Sequence, residues 1–132
     1  MSTELAPNAV QKGYDGKWRI THPAAAPGGA LFAITSDWCT HCKNLKKNVQ
    51  EAQLIQPFDF FFLDGDQTDA HRAKTTEMGV QGFPTMYQVG KDGVLTEYNG
   101  GRHVEALART FTKGVNVQRA RAPTASMFSW FL

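Results

Sequence analysis

The chain has 132 residues, of which 42% are hydrophobic and 20% are charged, and its formal net charge is +2. This length and composition are typical of one soluble globular domain with a single core that folds without disulfide staples. The charge is too small to indicate a nucleic-acid partner, and no run of about 18 apolar residues indicates a transmembrane segment.

The start of the chain is polar and shows no hydrophobic period. We therefore predict an N-terminal extension over residues 1–14, ahead of a domain that covers residues 15–114. The first residues lack the basic start and the apolar run of a secretory signal, which predicts an intracellular protein; a component of a larger particle is the alternative. Intracellular compartments are usually reducing, so a redox, catalytic or metal role for cysteine is more natural there than a structural disulfide.

Two strands are predicted ahead of the two cysteines of the chain, Cys39 and Cys42. Residues 17–20, KWRI, form the first strand. Residues 30–35, ALFAIT, form the second, which is largely apolar and is expected to be buried on both faces. The segment 21–29, THPAAAPGG, contains two prolines and two glycines, so we predict a loop there.

A helix is predicted over residues 39–53 from its apolar period. The apolar side repeats at spacings of three, four and three, through Cys42, Leu45, Val49 and Ala52. The outward side carries Lys43, Lys46, Lys47 and Gln50. Cys42 therefore continues the buried side, whereas Cys39 lies at the beginning of the helix, where we expect it to be exposed.

The rest of the domain alternates between strands and helices. We predict a buried strand within residues 58–66, a helix over residues 69–78 with Thr68 as N-cap and Gly79 as its stop, a hairpin of strands 85–89 and 94–98 around the loop 90–93, and a helix over residues 104–113 that ends at Gly114. This order indicates an α/β fold in which helices flank both faces of a central mixed β-sheet.

The last segment, residues 115–132, falls outside this pattern, because it is first basic, then contains Pro, Thr and Ser, and is finally apolar. Its apolar end is too short to span a bilayer. We predict that it docks on a protein partner, with folding back on the domain, disorder and membrane-surface contact as alternatives. The side chains expected to make this contact are Phe128, Trp130, Phe131 and Leu132.

The Cys-Thr-His-Cys spacing suits disulfide exchange. A thiolate is the working nucleophile, and the start of a helix stabilises negative sulfur with unpaired N–H groups and about half a positive charge. Cys39 is placed for this help and is predicted to attack. Cys42 is predicted to resolve the mixed disulfide, leaving an intramolecular disulfide. Trp38 would shield one side of the pair and offer an apolar surface to a peptide.

Two other interpretations of the cysteine pair are half of a zinc site and two inert thiols. Structural zinc needs four ligands, and the chain has no second cysteine pair. The histidines are scattered, and three of them are best treated as surface residues: His22, His71 and His103. We therefore predict no metal site.

The segment WCTHCK resembles the active-site motif of thioredoxins and, through the His before the second Cys, that of protein disulfide isomerase domains. Three further segments resemble the same family. GVQGFPT is similar to the segment whose proline, here Pro84, is cis and faces the cysteine pair. VGKDG is similar to the hairpin turn, and EYNGGRHVEALARTF is similar to the last strand and helix of isomerase-type domains.

This resemblance implies a thioredoxin-like fold and a thiol–disulfide oxidoreductase that oxidises or isomerises protein thiols. It implies Cys39 and Cys42 as the catalytic pair, no cofactor beyond their redox-active disulfide, and recycling by a thioredoxin-reductase-type or other redox partner. The implied substrate-binding residues are Trp38, Thr40, His41, Phe83 and Pro84.

Two positions depart from the family pattern. Ala33 stands where the family usually carries a buried carboxylate, six residues before the first cysteine, and Phe62 appears where the neighbouring strand carries a lysine. Losing both members of a buried charged pair leaves a self-consistent core. We expect less efficient proton handling, with exchange through water.

The direction of exchange is predicted from conflicting features. His41 stabilises the reduced form, which favours oxidation or isomerisation, whereas the missing leader favours a reducing compartment. The lost charged pair and the apolar tail keep a second hypothesis open: a thioredoxin-fold structural or adaptor subunit of a larger assembly, for example a virus particle.

Overall fold

The computed structural model describes residues 2–21 and 29–111. Within these residues the strands are β1 (Ser2–Glu4), β2 (Val10–Lys12), β3 (Trp18–Ile20), β4 (Ala30–Thr35), β5 (Asp59–Asp64), β6 (Thr85–Val89) and β7 (Leu95–Glu97). The helices are α1 (Thr40–Ile55), α2 (Asp69–Glu77) and α3 (Val104–Thr110). Short 3-10 helices occupy Pro7–Ala9 and Lys91–Gly93.

Some predictions lie outside the described residues. These are His22 with most of the loop predicted at 21–29, the stop at Gly114, and the tail 115–132 with its docking residues Phe128, Trp130, Phe131 and Leu132. In the part of the chain that the structure describes, no helix is long and apolar enough to cross a membrane.

The central sheet has five strands in the order β1-β5-β4-β6-β7. β4 runs parallel to β5 and antiparallel to β6, so the sheet is mixed, as predicted. All six residues of β4 are buried, because this strand lies in the middle of the sheet and is covered on both faces.

The two faces of the sheet form two apolar clusters, because successive β4 side chains point to opposite sides. On one face, Leu31 and Ala33 pack with Leu45 and Val49 of α1, with Leu107 of α3 and with Phe111 directly after α3. On the other face, Phe32 and Ile34 pack with Leu63, Val89 and residues of the N-terminal segment, among them Leu5, Val10 and Ile20.

The N-terminal segment differs from the predicted extension over residues 1–14. β1 is an edge strand of the central sheet, parallel to β5, with Ser2 opposite Phe60. Leu5 and Val10 are buried in the core. β2 and β3 pair as a separate antiparallel ribbon. Strands of three residues are too short to show a period of two, and β1 finds its partner more than fifty residues along the chain.

The helix α1 matches its prediction closely. The buried residues of α1 are the predicted four, Cys42, Leu45, Val49 and Ala52. One outward residue was predicted wrongly. Lys46 is half-buried, with its Nζ 4.1 Å from the centroid of the Phe62 ring, because a long lysine stem covers apolar surface while its charge contacts an aromatic face.

The remaining elements position the loops around the cysteines. α2 has Thr68 as N-cap, whose side chain accepts the N–H of His71, and it stops at Gly79, which has φ 74°. β6 and β7 form the predicted antiparallel hairpin. Asn48 of α1 donates to the carbonyl oxygen of Arg102 at 2.9 Å, which fixes the start of α3 against α1.

Candidate active site

The cysteine pair lies where α1 begins. Cys39 is the N-cap, and its Sγ accepts the backbone N–H of Cys42 at 3.2 Å. Both cysteines are free thiols. A sulfur that receives an N–H bond at a helix start is stabilised as thiolate by the same donor and by the helix dipole. The geometry therefore suits Cys39 for attack.

Cys39 was expected to be exposed, and this prediction was wrong, because only 7% of the residue is accessible. Its Sγ faces the loop before β6 and lies 3.6 Å from the carbonyl oxygen of Phe83, to which the thiol donates. The sequence pattern of α1 alone could not show this cover, because the covering loop is 44 residues away along the chain.

The loop opposite Cys39 contains a cis peptide bond between Phe83 and Pro84, as the family resemblance implied. Pro84 is buried, and the next residue, Thr85, starts β6 beside Ile34 of β4. The sheet therefore holds this loop against the cysteine pair. Beside it lies a cavity of about 490 Å³, lined by residues 78–85 together with Tyr87, Glu97 and Arg102.

Trp38 is 67% exposed, yet it is held at two points. Its Nε1–H donates to Oδ2 of Asp66 at 3.0 Å. Its ring meets the Phe83 ring edge-on at 5.8 Å between centroids. The Trp38 ring thus forms a fixed apolar surface beside Cys39.

Asp66 was not among the sequence-predicted site residues. It follows β5, and its backbone N–H donates to Oδ1 of Asp64 at 2.8 Å. A signal was available, because β4 and β5 were both predicted as buried strands. The carboxyl ends of parallel neighbours meet at one edge of a sheet, so the turn after β5 had to lie near the residues after β4.

Cys42 has a different environment from Cys39, with 1% of the residue accessible. Burial is the main cause that raises the pKa of Cys42 from 9.0 to about 12, and the hydrogen bond with Cys39 adds to it. The backbone of Ser36 and the charge of Lys46 act in the opposite direction. Cys42 therefore stays protonated when both cysteines are reduced. This buried thiol suits the resolving role, since Cys39 is the more accessible of the two.

A model of the family described as Thioredoxin matches residues 25–113. The chain belongs to the thioredoxin family. The fold implied by the sequence resemblance is confirmed.

Two curated relatives are named as isomerases. Protein disulfide-isomerase tigA of Aspergillus niger is 35% identical over 94 residues, which cover 67% of this chain and 26% of that protein. Protein disulfide-isomerase erp38 of Neurospora crassa is 32% identical over 98 residues, which cover 72% of this chain and 27% of that protein. The chain thus spans about a quarter of the length of these relatives.

A solved structure shares the thioredoxin fold. The J-Trx1 fragment of ERdj5 superposes with a TM-score of 0.54 at 19% identity, covering 82% of this chain and 48% of that chain.

The two departures from the family pattern lie side by side in this thioredoxin domain. Ala33 and Phe62 are paired residues of the neighbouring strands β4 and β5. Ala33 is fully buried, and the Phe62 ring stacks on that of Phe60 at 5.6 Å. An apolar contact therefore occupies this part of the sheet.

Two predicted site residues remain, Thr40 and His41, together with two histidines that were predicted as surface residues, His71 and His103. Thr40 and His41 are exposed in the first turn of α1, and His103 is exposed at the N-cap of α3. His71 is half-buried, with its Nδ1 2.6 Å from Oγ1 of Thr68. In the ranges 2–21 and 29–111, no three His, Cys, Asp or Glu side chains are grouped so as to hold a metal ion.

Gly65 makes room for the ring of Phe83, which positions the loop opposite Cys39. A Cβ at Gly65 would lie 2.6 Å from Cε1 of Phe83 and 2.8 Å from Oγ1 of Thr75. We expect Gly65→Ala to displace the ring and to lower the free energy of unfolding by about 1–3 kcal/mol, measured by urea denaturation.

Gly82→Ala is the matched control, since a Cβ there meets nothing within 4 Å. It is expected to change the free energy of unfolding by less than about 0.5 kcal/mol. Equal stabilities of the two variants would contradict the proposed packing of Phe83 on Gly65.

Proposed function

We propose that this thioredoxin domain is a thiol–disulfide oxidoreductase that acts on protein thiols and disulfides, with Cys39 as the nucleophile and Cys42 as the resolving thiol. The observation that carries the proposal is the position of the Cys39 sulfur. This sulfur lies 3.2 Å from the backbone nitrogen of Cys42 and 3.6 Å from the carbonyl oxygen of Phe83. It is therefore next to the resolving cysteine and also next to the loop with which a substrate peptide would pair.

In the first step the Cys39 thiolate attacks one sulfur of a substrate disulfide. The substrate S–S bond breaks, a bond forms between that sulfur and Cys39, and the other substrate sulfur leaves as a thiolate that takes up a proton. The backbone N–H of Cys42 and the start of α1 stabilise the attacking sulfur before this step.

In the second step Cys42 loses its proton and attacks the sulfur of Cys39. The mixed disulfide breaks, the substrate sulfur leaves and is protonated, and an intramolecular disulfide remains. Two electrons have then passed from the cysteine pair to the substrate. The same steps in reverse transfer a disulfide to a substrate dithiol.

The proposed substrate is an extended segment of protein. Such a segment adds to exposed backbone by β-augmentation, which gives affinity without a fixed sequence. The residues proposed to bind it surround Cys39: Trp38, Thr40, His41, Phe83 and Pro84. The fixed ring of Trp38 and the cavity beside Phe83 supply apolar and polar contacts of the size of a few side chains.

We propose oxidation or isomerisation as the main direction. His41 is exposed beside the cysteine pair, and a histidine there stabilises the reduced form, which makes the disulfide a stronger oxidant. A tenfold change in this equilibrium corresponds to about 30 mV. The names of the relatives from Aspergillus niger and Neurospora crassa point to the same class of reaction.

Repeated turnover needs a second reactant, because each cycle leaves the cysteine pair oxidised or reduced. A thioredoxin-reductase-type protein or another redox partner is proposed to reset it, with no cofactor other than the disulfide itself. An intracellular location and the docking of the apolar tail stay predictions from the sequence.

The proposal is tested by two turnover assays on the full chain. Reduction of insulin disulfides by dithiothreitol and reactivation of scrambled ribonuclease in a glutathione buffer are each compared with protein-free controls. We expect acceleration in both assays, and a larger one in the isomerisation assay. Rates equal to the controls in both would overturn the proposal in favour of a structural or adaptor role.

A further inference from the structure

The second step of the proposed reaction has an obstacle. Cys42 must form a thiolate while 1% of the residue is accessible, and burial raises the pKa of this thiol to about 12. On the adjacent strands Ala33 and Phe62 are paired, and neither can accept a proton or stabilise a charge as an ion. A positive charge near Cys42 would favour the anion and speed the resolving step.

Lys46 is placed to do so. It lies four residues after Cys42 on α1, so the two side chains are neighbours on one side of the helix. Its Nζ lies 4.1 Å from the centroid of the Phe62 ring, and Phe62 is the strand partner of Ala33. The cation–π contact holds the ammonium group on the half-buried Phe62 ring, whereas an ordinary surface lysine extends into water.

We propose that Lys46 is a positioning residue for the resolving step: its ammonium group, held on the Phe62 ring, stabilises the Cys42 thiolate as it forms. This inference rests on the proposed disulfide exchange. Lys46 then supplies the charge that the Ala33–Phe62 strand pair lacks, and the Phe62 ring holds that charge in place.

The basic residues next to Cys42 in the sequence, His41 and Lys43, are exposed, whereas Lys46 is half-buried. Burial and the hydrogen bond with Cys39 raise the pKa of the Cys42 thiol, and the charge of Lys46 lowers it. Asp64 at the end of β5 accepts the backbone N–H of Asp66. The Ser36 backbone also favours the thiolate, but as a neutral donor.

Stopped-flow reaction of the reduced chain with 2,2′-dithiodipyridine separates the two steps. Attack by Cys39 releases one thiopyridone, and resolution by Cys42 releases the second. We expect Lys46→Met to slow the second phase about three- to fourfold and to leave the first unchanged. Loss of the charge lowers the thiolate fraction about tenfold, and the more basic thiolate is about threefold more reactive.

The matched variants are Lys46→Arg, which keeps the charge, and Lys47→Met, which removes an exposed charge from the next position of α1. Both are expected to resolve within about twofold of the parent rate. Recovery of the second-phase rate by Lys46→Arg separates the effect of the charge from the packing of the side chain.

A second phase of equal rate in the parent and in Lys46→Met would overturn this inference, as would an equal slowing by Lys47→Met. The probe is a small disulfide, so the result does not depend on protein substrates. If insulin and ribonuclease were not turned over while the second phase still responded to Lys46, the proposed function would fail and the role of Lys46 would stand.

Discussion

Cys39→Ser is expected to abolish disulfide exchange, with turnover in the insulin and ribonuclease assays lower by about a thousandfold or more. A serine hydroxyl does not ionise near neutral pH and cannot form a mixed disulfide with a substrate. The buried Cys42 cannot replace the lost nucleophile, because only 1% of it is accessible and its thiol is held protonated.

Asn44→Ser is the control for this variant, since Asn44 is exposed on the same helix. Its turnover should stay within about twofold of the parent, as is usual for surface substitutions away from a site. If Cys39→Ser kept parent activity, the assignment of Cys39 as nucleophile would be wrong.

Cys42→Ser is expected to leave the attack intact and to block resolution. Turnover should fall by about a hundredfold or more, and a covalent complex between Cys39 and the substrate should accumulate. Non-reducing electrophoresis with insulin as substrate detects this complex as a band that dithiothreitol removes.

The double variant with both cysteines replaced by serine should form no such band, because it lacks the attacking sulfur. A Cys42→Ser protein that turned over at the parent rate without accumulating a complex would show that resolution does not need Cys42. The two single variants therefore separate attack from resolution.

The site is assembled by three segments that are distant in sequence. The start of α1 supplies Cys39, the loop before β6 supplies Phe83, and the turn after β5 supplies Asp66. β4 and β5 are parallel and end together, with Thr35 opposite Asp64. Cys39 and Asp66, which holds Trp38, therefore lie at the same edge of the sheet.

The sequence by itself determined the elements whose residues repeat with a clear period. The four buried residues of α1 follow from their spacing, and β4 follows from its apolar run. The motif around Cys39 and the segment 79–85, which contains Pro84, identified the family and the cysteine pair. These features are local, because each depends on residues within about sixteen positions of one another.

Other features were decided only by the tertiary structure. Phe83 covers Cys39, and Asp66 accepts a hydrogen bond from Trp38. β1 pairs with β5 in the sheet, and Lys46 lies on the Phe62 ring. Each of these contacts joins residues from separate segments, and Lys46 shows the limit most clearly. Its place on the helix predicted an outward side chain, but a lysine stem is long enough to turn back onto an aromatic ring that the neighbouring strand supplies.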